Sequence, residues 1–196
     1  MALKAPSLRS RTMYGMVNRA VRDMVIARFG TEAWTRVHTE AVSPAEFDKM
    51  QSYDDGVTYR LVRASAQVLR LPPETVMRTF GVYWVMETAE KGYGPLLALW
   101  GSSFVEFLSN LDALHARVAE TFTGLKPPSF EVVEEGEGML EVSYRSHRPG
   151  LAPFVAGLIE GVGQRFDTKV DVLLVRSRAL DGGDVDVFRV GYQPGA

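Results

Sequence analysis

Cysteine is missing from all 196 residues of the chain. That excludes a disulfide scaffold, thiolate-held zinc, an iron–sulfur cluster and a thiol nucleophile. A surplus of one charge is missing too. Lysine plus arginine is 22 and aspartate plus glutamate is 24, a formal net charge of -2. No basic excess points to nucleic acid, and no acidic tail is present. No apolar run approaches the ~20 residues that cross a bilayer. The basic start, Met1 to Thr12, leads into no apolar signal segment. The expectation is a cytoplasmic protein with neither a membrane nor a nucleic-acid partner, and with a flexible arm over residues 1–12. What is present is ordinary: 46% hydrophobic and 23% charged residues, enough for a proper core.

The first half has helical spacing. Val17, Val21, Met24 and Val25 mark a helix from Met13 to Phe29, with Gly30 as its C-cap. Thr31 and Glu32 open a second helix through Trp34, Val37 and His38. Tyr53-Asp54-Asp55-Gly56 reads as a turn. Val57 to Leu71 and Glu74 to Ala89 read as helices, the first stopped at Pro72-Pro73 and the second broken at Gly92-Tyr93-Gly94-Pro95. Ser102 or Ser103 caps a helix running to about Phe122. After Pro127-Pro128 the period changes to two. Phe130 to Val133 and Leu140 to Arg148 form a hairpin, Leu151 to Phe166 a helix, and Thr168 to Arg176 and Val185 to Tyr192 two more strands. The fold class is α+β: a helical lobe followed by a small antiparallel sheet with helices.

The chain has three histidines, and any metal or acid–base chemistry near neutral pH looks first at them. His115 falls in the series Phe104, Leu108, Leu111, His115, Val118, Phe122, whose steps alternate between four and three. It therefore occupies the middle of an apolar stripe. One reading is a core histidine bonded to a backbone carbonyl. The other is an axial metal ligand. No second ligand stands at metal spacing, so a lone histidine suffices only where the metal brings its own equatorial ligands, as heme does. His147 shares the charged face of its strand, and nothing marks His38.

Strand alternation carries the second signal. Leu140, Val142, Tyr144, Ser146 and Arg148 share one face, about 7 Å apart per step of two. Two hydroxyls and a guanidinium continue an apolar row. Either the strand end emerges into water, with Arg148 paired to a local glutamate, or the three donors hold carboxylates, for which the Arg148 fork is well shaped. A flat apolar body against His115 with an acidic edge at Tyr144, Ser146 and Arg148 satisfies both signals, and heme with its propionates has that form.

Tyr144-Arg-Ser146-His-Arg148 resembles the Y-x-S-x-R motif of the heme nitric oxide/oxygen binding (H-NOX) family. Asn110-Leu-Asp-Ala-Leu-His115-Ala-Arg-Val resembles its proximal-histidine helix, and Met13-Tyr-Gly-Met-Val17-Asn-Arg its start. Pro127-Pro128, Leu151-Ala-Pro-Phe154 and Gly157-Leu-Ile-Glu-Gly161 also fit. The likeness covers about Met13 to Tyr192 and extends to the heme domain of soluble guanylate cyclase β subunits.

The resemblance implies one heme b, active as Fe(II), between a distal helical lobe (about 13–72) and a proximal α/β lobe (about 73–194). It makes His115 the iron ligand and gives the propionates to Tyr144, Ser146 and Arg148. Pro128 becomes the contact that distorts the porphyrin. Val17, Val21, Trp84, Thr88, Leu151 and Leu158 become the distal pocket. Members that bind O2 carry a distal tyrosine, and the matching position here is Pro153, with no tyrosine in Leu151 to Glu160. The implied function is a gas sensor for NO (and CO), not an enzyme. NO weakens the iron–His115 bond, and a partner in trans reads the shift, such as a histidine kinase or diguanylate cyclase. Alternatives are an O2, CO or redox sensor, a domain binding another tetrapyrrole, heme catalysis, and a cofactor-free interaction module.

Overall fold

The structure is a computed structural model and describes residues 12–121 and 126–194. Residues 1–11 of the expected arm lie outside the described residues, as does Phe122. The chain divides into two compact units, one ending at Val76 and the other beginning at Met77.

The first unit opens with a feature that periodicity missed. Strand β1 (Thr12–Tyr14) pairs antiparallel with β2 (Ser52–Asp54), Met13 opposite Tyr53. Thr12 is therefore extended, not part of an arm, and Tyr53 and Asp54 are strand, not turn. Strands of three residues are too short to show alternation. Gly15, at the start of helix α1 (Gly15–Glu40), permits this pairing, since a Cβ there would lie 2.0 Å from the Asp48 carbonyl oxygen. The two expected helices around Gly30 are α1 itself, kinked where Gly30 takes φ 87°. Helix α2 (Asp55–Leu69) starts at an Asp54 cap whose side chain accepts the Gly56 N–H at 2.8 Å. It packs on α1, and Val21, Met24 and Val25 of α1 and Leu61 of α2 are all buried. Inside that contact the Thr58 hydroxyl donates to the Asn18 Oδ1 at 2.5 Å.

Helix α3 (Pro73–Tyr83) runs into the second unit and continues as a π-helical segment, Trp84–Ala89, then as α4 (Glu90–Leu97) and a 3₁₀ turn, Ala98–Trp100. The expected break at Gly92 to Pro95 does not occur. Gly94 and Leu97 are buried, and that packing outweighs the weak local propensity. The single helix expected from Ser102 or Ser103 is two: α5 (Phe104–Ser109) and α6 (Leu111–Thr121), bent at Asn110. The Asn110 side-chain amide donates to the Trp100 carbonyl at 2.9 Å and holds the bend.

The sheet contains β3 (Ser129–Gly136), β4 (Met139–Arg145), β5 (Thr168–Arg176) and β6 (Val185–Pro194), all antiparallel in the order β3-β4-β6-β5. Its inner face is covered by α7 (Ala152–Arg165). Leu140, Val142, Phe188 and Val190 are the fully buried rows of that core. A short helix, α8 (Arg178–Asp181), joins β5 to β6. The α+β class is as the sequence indicates.

Candidate functional site

His115 lies on α6, after the Asn110 bend. The bend turns the helix, so the fully buried neighbour is Leu114 while Leu111, His115 and Val118 are half-buried. The unbroken stripe expected through residues 104 to 122 is therefore interrupted, and His115 is not the centre of a continuous buried face. Its Nδ1 is nevertheless buried and has no hydrogen-bond partner. Burial pushes the imidazole below its ordinary range, against the opposing pull of the Asp112 carboxylate. At neutral pH the ring is uncharged, the form that binds a metal. A structural histidine closes its ring nitrogens on the chain, and this one does not.

Phe130 links the two halves of the site. Its ring lies 5.7 Å from that of His115 and 5.1 Å from that of Tyr144. Register explains the second contact, because Phe130 and Tyr144 are cross-strand partners in β3 and β4. Asp112 explains the first, since its Oδ1 accepts the Phe130 N–H at 2.6 Å and ties the start of β3 to α6. Pro128 is half-buried, one residue before β3.

The expected alternation holds for Leu140, Val142 and Tyr144, the last only 2% exposed. It does not extend to Ser146 and Arg148, because β4 ends at Arg145. These two residues occupy a bend, and other contacts place them. Burial pushes the Tyr144 phenol up, with the nearby Ser146 side chain pulling the other way. The Ser146 Oγ accepts the Arg148 N–H at 3.2 Å. The Arg178 guanidinium donates to the Ser146 carbonyl through Nη1 and to the Arg148 carbonyl through Nη2. Asp186 holds that guanidinium. Its Oδ2 lies 3.4 Å from the Arg178 Nε, and its Oδ1 accepts the Arg178 N–H at 3.0 Å.

Arg178 and Asp186 went unnoticed at the sequence level. A signal was present for one of them: Asp186, Phe188 and Val190 share a parity, which sets a carboxylate in a buried row. His147 is exposed, as expected, but in the bend beyond β4 and not on a strand face. His38 is half-buried beside Trp34, ring centroids 5.7 Å apart.

The residues assigned to a distal pocket separate between units. Val17 and Val21 lie on α1 of the first unit. In the second, Trp84 and Thr88 lie on the π-helical segment, and Leu151 and Leu158 at the start and middle of α7. The Trp84 ring meets Phe80 and Phe154 edge-on, centroids at 6.0 and 6.4 Å. Among the described residues no three His, Cys, Asp or Glu side chains cluster to hold an ion, and no helix is long and apolar enough to cross a membrane. A metal held by His115 would have to bring other ligands of its own. The neutral ring with an orphaned nitrogen, the Phe130 bridge and the hydroxyl pair beside Arg148 fit a heme with carboxylate side chains.

Comparison with known proteins gives the same direction. The pattern of the Haem-NO-binding family matches residues 14–174. Soluble guanylate cyclase gcy-35 of Caenorhabditis elegans is 32% identical over 180 residues, which are 89% of this chain and 26% of the cyclase. Guanylate cyclase soluble subunit beta-2 of Rattus norvegicus is 38% identical over 98 residues, 50% of this chain and 14% of that subunit. The chain thus spans about a quarter or less of the length of these relatives. The backbone is similar to an H-NOX protein from S. oneidensis in the Fe(II) state, TM-score 0.83 at 20% identity, over 94% of this chain and 98% of that one. The same protein's Fe(II)NO state gives 0.80 at 21%, over 92% and 99%.

Proposed function

The chain belongs to the Haem-NO-binding family, and from that premise we propose that it is a heme-based sensor of NO, with signalling rather than catalysis as its task. The observation that carries the reading is the run His115, Phe130, Tyr144, three rings in sequence that join the candidate iron ligand to the candidate carboxylate site. In this reading His115 binds the iron of one heme b. Tyr144, Ser146 and Arg148 hold its propionates, and Pro128 presses on the porphyrin. Of the residues that the resemblance gives to the gas side, Trp84, Thr88, Leu151 and Leu158 belong to the same unit as His115.

If heme is bound, His115 would hold its iron, and the ferrous group would supply the position at which NO binds. The protein's part is to hold a neutral imidazole on a short helix with a bend behind it. Asp112 and the Phe130 ring are the ties between α6 and the sheet. They make α6 the element whose position answers to the state of His115. A change there biases a two-state equilibrium that a partner in trans can read. A histidine kinase or a diguanylate cyclase suits that role.

The gas preference rests on what faces the ligand. Bound O2 draws charge from iron and is held by a donor, and the segment Leu151 to Glu160 has no tyrosine to give one. NO and CO depend on a donor far less. The test is an absorption spectrum of the heme-loaded ferrous protein, first without oxygen, then in air, then with NO. The expected series is five-coordinate with a histidine ligand, unchanged in air, then a five-coordinate nitrosyl. A stable oxy spectrum in air would turn the reading to O2 sensing. Failure to take up heme would overturn it.

A further inference from the structure

We propose that Arg178 and Asp186 form a positioning clamp that fixes the Tyr144–Arg148 segment in its carboxylate-binding geometry. The proposal rests on the heme reading above. It starts from a structural need, for β4 stops at Arg145 and its last ladder pairs are Ser129↔Arg145 and Arg145↔Val185. Ser146 and Arg148 lie beyond the ladder, so their backbone must be held some other way if their side chains are to act together.

Arg178 supplies the hold from some thirty residues downstream. Its Nη1 and Nη2 donate to the carbonyls of Ser146 and Arg148, the two ends of the bend. A guanidinium fork is planar and rigid, so gripping both carbonyls fixes the separation between them, which a lysine ammonium cannot do. The Ser146 Oγ, accepting the Arg148 N–H, closes the same bend from inside. Asp186 then aims the fork. It is 3% exposed, sits opposite Tyr144 in the β4–β6 ladder, and takes both the Nε and the backbone N–H of Arg178. A buried carboxylate needs such partners.

Charge separates this role from direct anion binding. Arg178 and Asp186 cancel, so the pair contributes shape while the charge offered to a propionate remains that of Arg148. Both Nη nitrogens of Arg178 are engaged with backbone. The clamp therefore acts through Ser146 and Arg148 and not on the ligand itself.

The test compares hemin with hemin dimethyl ester, whose carboxylates are blocked, by titrating each into the apoprotein. The readout is the ratio of the two dissociation constants, which a loss of general stability would not move. Wild type should favour hemin. Arg148→Ala should lose much of that preference. Arg178→Ala and Arg178→Lys should each lose about tenfold of it, the scale of a lost outer-shell contact. Lysine should fail like alanine because it keeps the charge and loses the fork. Should Arg178→Ala not fold, Arg178→Lys and Asp186→Asn carry the test. If Arg148→Ala lowers the ratio while the Arg178 variants keep it, the clamp is overturned and the heme reading stands. If wild type does not favour hemin over its ester, the carboxylate reading and the clamp fall together.

Discussion

Phe130 is the residue on which the candidate site turns. It is buried between two rings, and its backbone N–H is held by Asp112. Truncating a buried phenylalanine removes its transfer energy and leaves a cavity. Phe130→Ala should therefore cost about 3–5 kcal/mol, read from chemical denaturation of the apoprotein. Phe130→Leu, which keeps most of the volume, should cost clearly less. A small loss in the alanine variant would mean that His115 and Tyr144 close over the gap. Tyr144→Phe isolates the hydroxyl. It removes a buried polar group while leaving the ring against Phe130, and a change within about 1 kcal/mol is expected from the same measurement. Side-chain identity was readable here and side-chain placement less so. His115, Tyr144, Ser146 and Arg148 stood out by type and spacing. The clamp on two of them did not, because Arg178 acts on main-chain carbonyls far upstream and no spacing rule reports such a bond.

At the scale of elements, helices and longer strands were readable because their apolar periods are long enough to register, as in α2, α7, β5 and β6. Three features escaped for physical reasons. The β1–β2 ladder is too short for a pattern. The Asn110 bend is held by one side-chain amide. The helix through Gly92 to Pro95 persists because burial outweighs propensity. Helix contacts supply sharper tests. A Cβ on Gly157 would lie 2.0 Å from the Arg78 carbonyl oxygen, where α7 crosses α3. Gly157→Ala must push the two backbones apart and should cost about 1–3 kcal/mol. A Cβ on Gly92, in α4, would meet nothing within 4 Å, so Gly92→Ala should instead stabilise by about 0.5–1 kcal/mol. Unfolding midpoints of the pair decide both signs. The start of α5 carries a charge test. The Glu106 carboxylate accepts from the Ser102 N–H and hydroxyl at 2.8 Å, and these bonds hold its pKa below the usual range. A depressed carboxylate lends stability above its unfolded pKa and loses it as pH falls through the folded value. Glu106→Gln should therefore lower stability at pH 7 and flatten part of the acid limb below about pH 4.5, the two proteins converging at low pH.

At the scale of the whole molecule, composition had already narrowed the chemistry. A chain without cysteine, with 22 cations against 24 anions, can hold a metal firmly only through histidine and carboxylate. With one half-buried histidine in the second unit, its Nδ1 buried and unpartnered, folding and cofactor binding should be linked. A ligand that binds the native chain and not the unfolded one stabilises it by RT ln(1 + [L]/Kd), about 2.7 kcal/mol at a hundred times Kd. Hemin at that excess should raise the unfolding free energy of the wild-type chain by this amount. Arg148→Ala offers a graded check at the same hemin concentration. If its Kd is tenfold weaker, the gain should shrink to about 1.4 kcal/mol, while the two apoproteins differ little. Denaturant titrations with and without hemin give all four values. A hemin-dependent gain equal in both proteins would assign the stabilisation to apolar contact and His115 alone, and would remove Arg148 from the binding site.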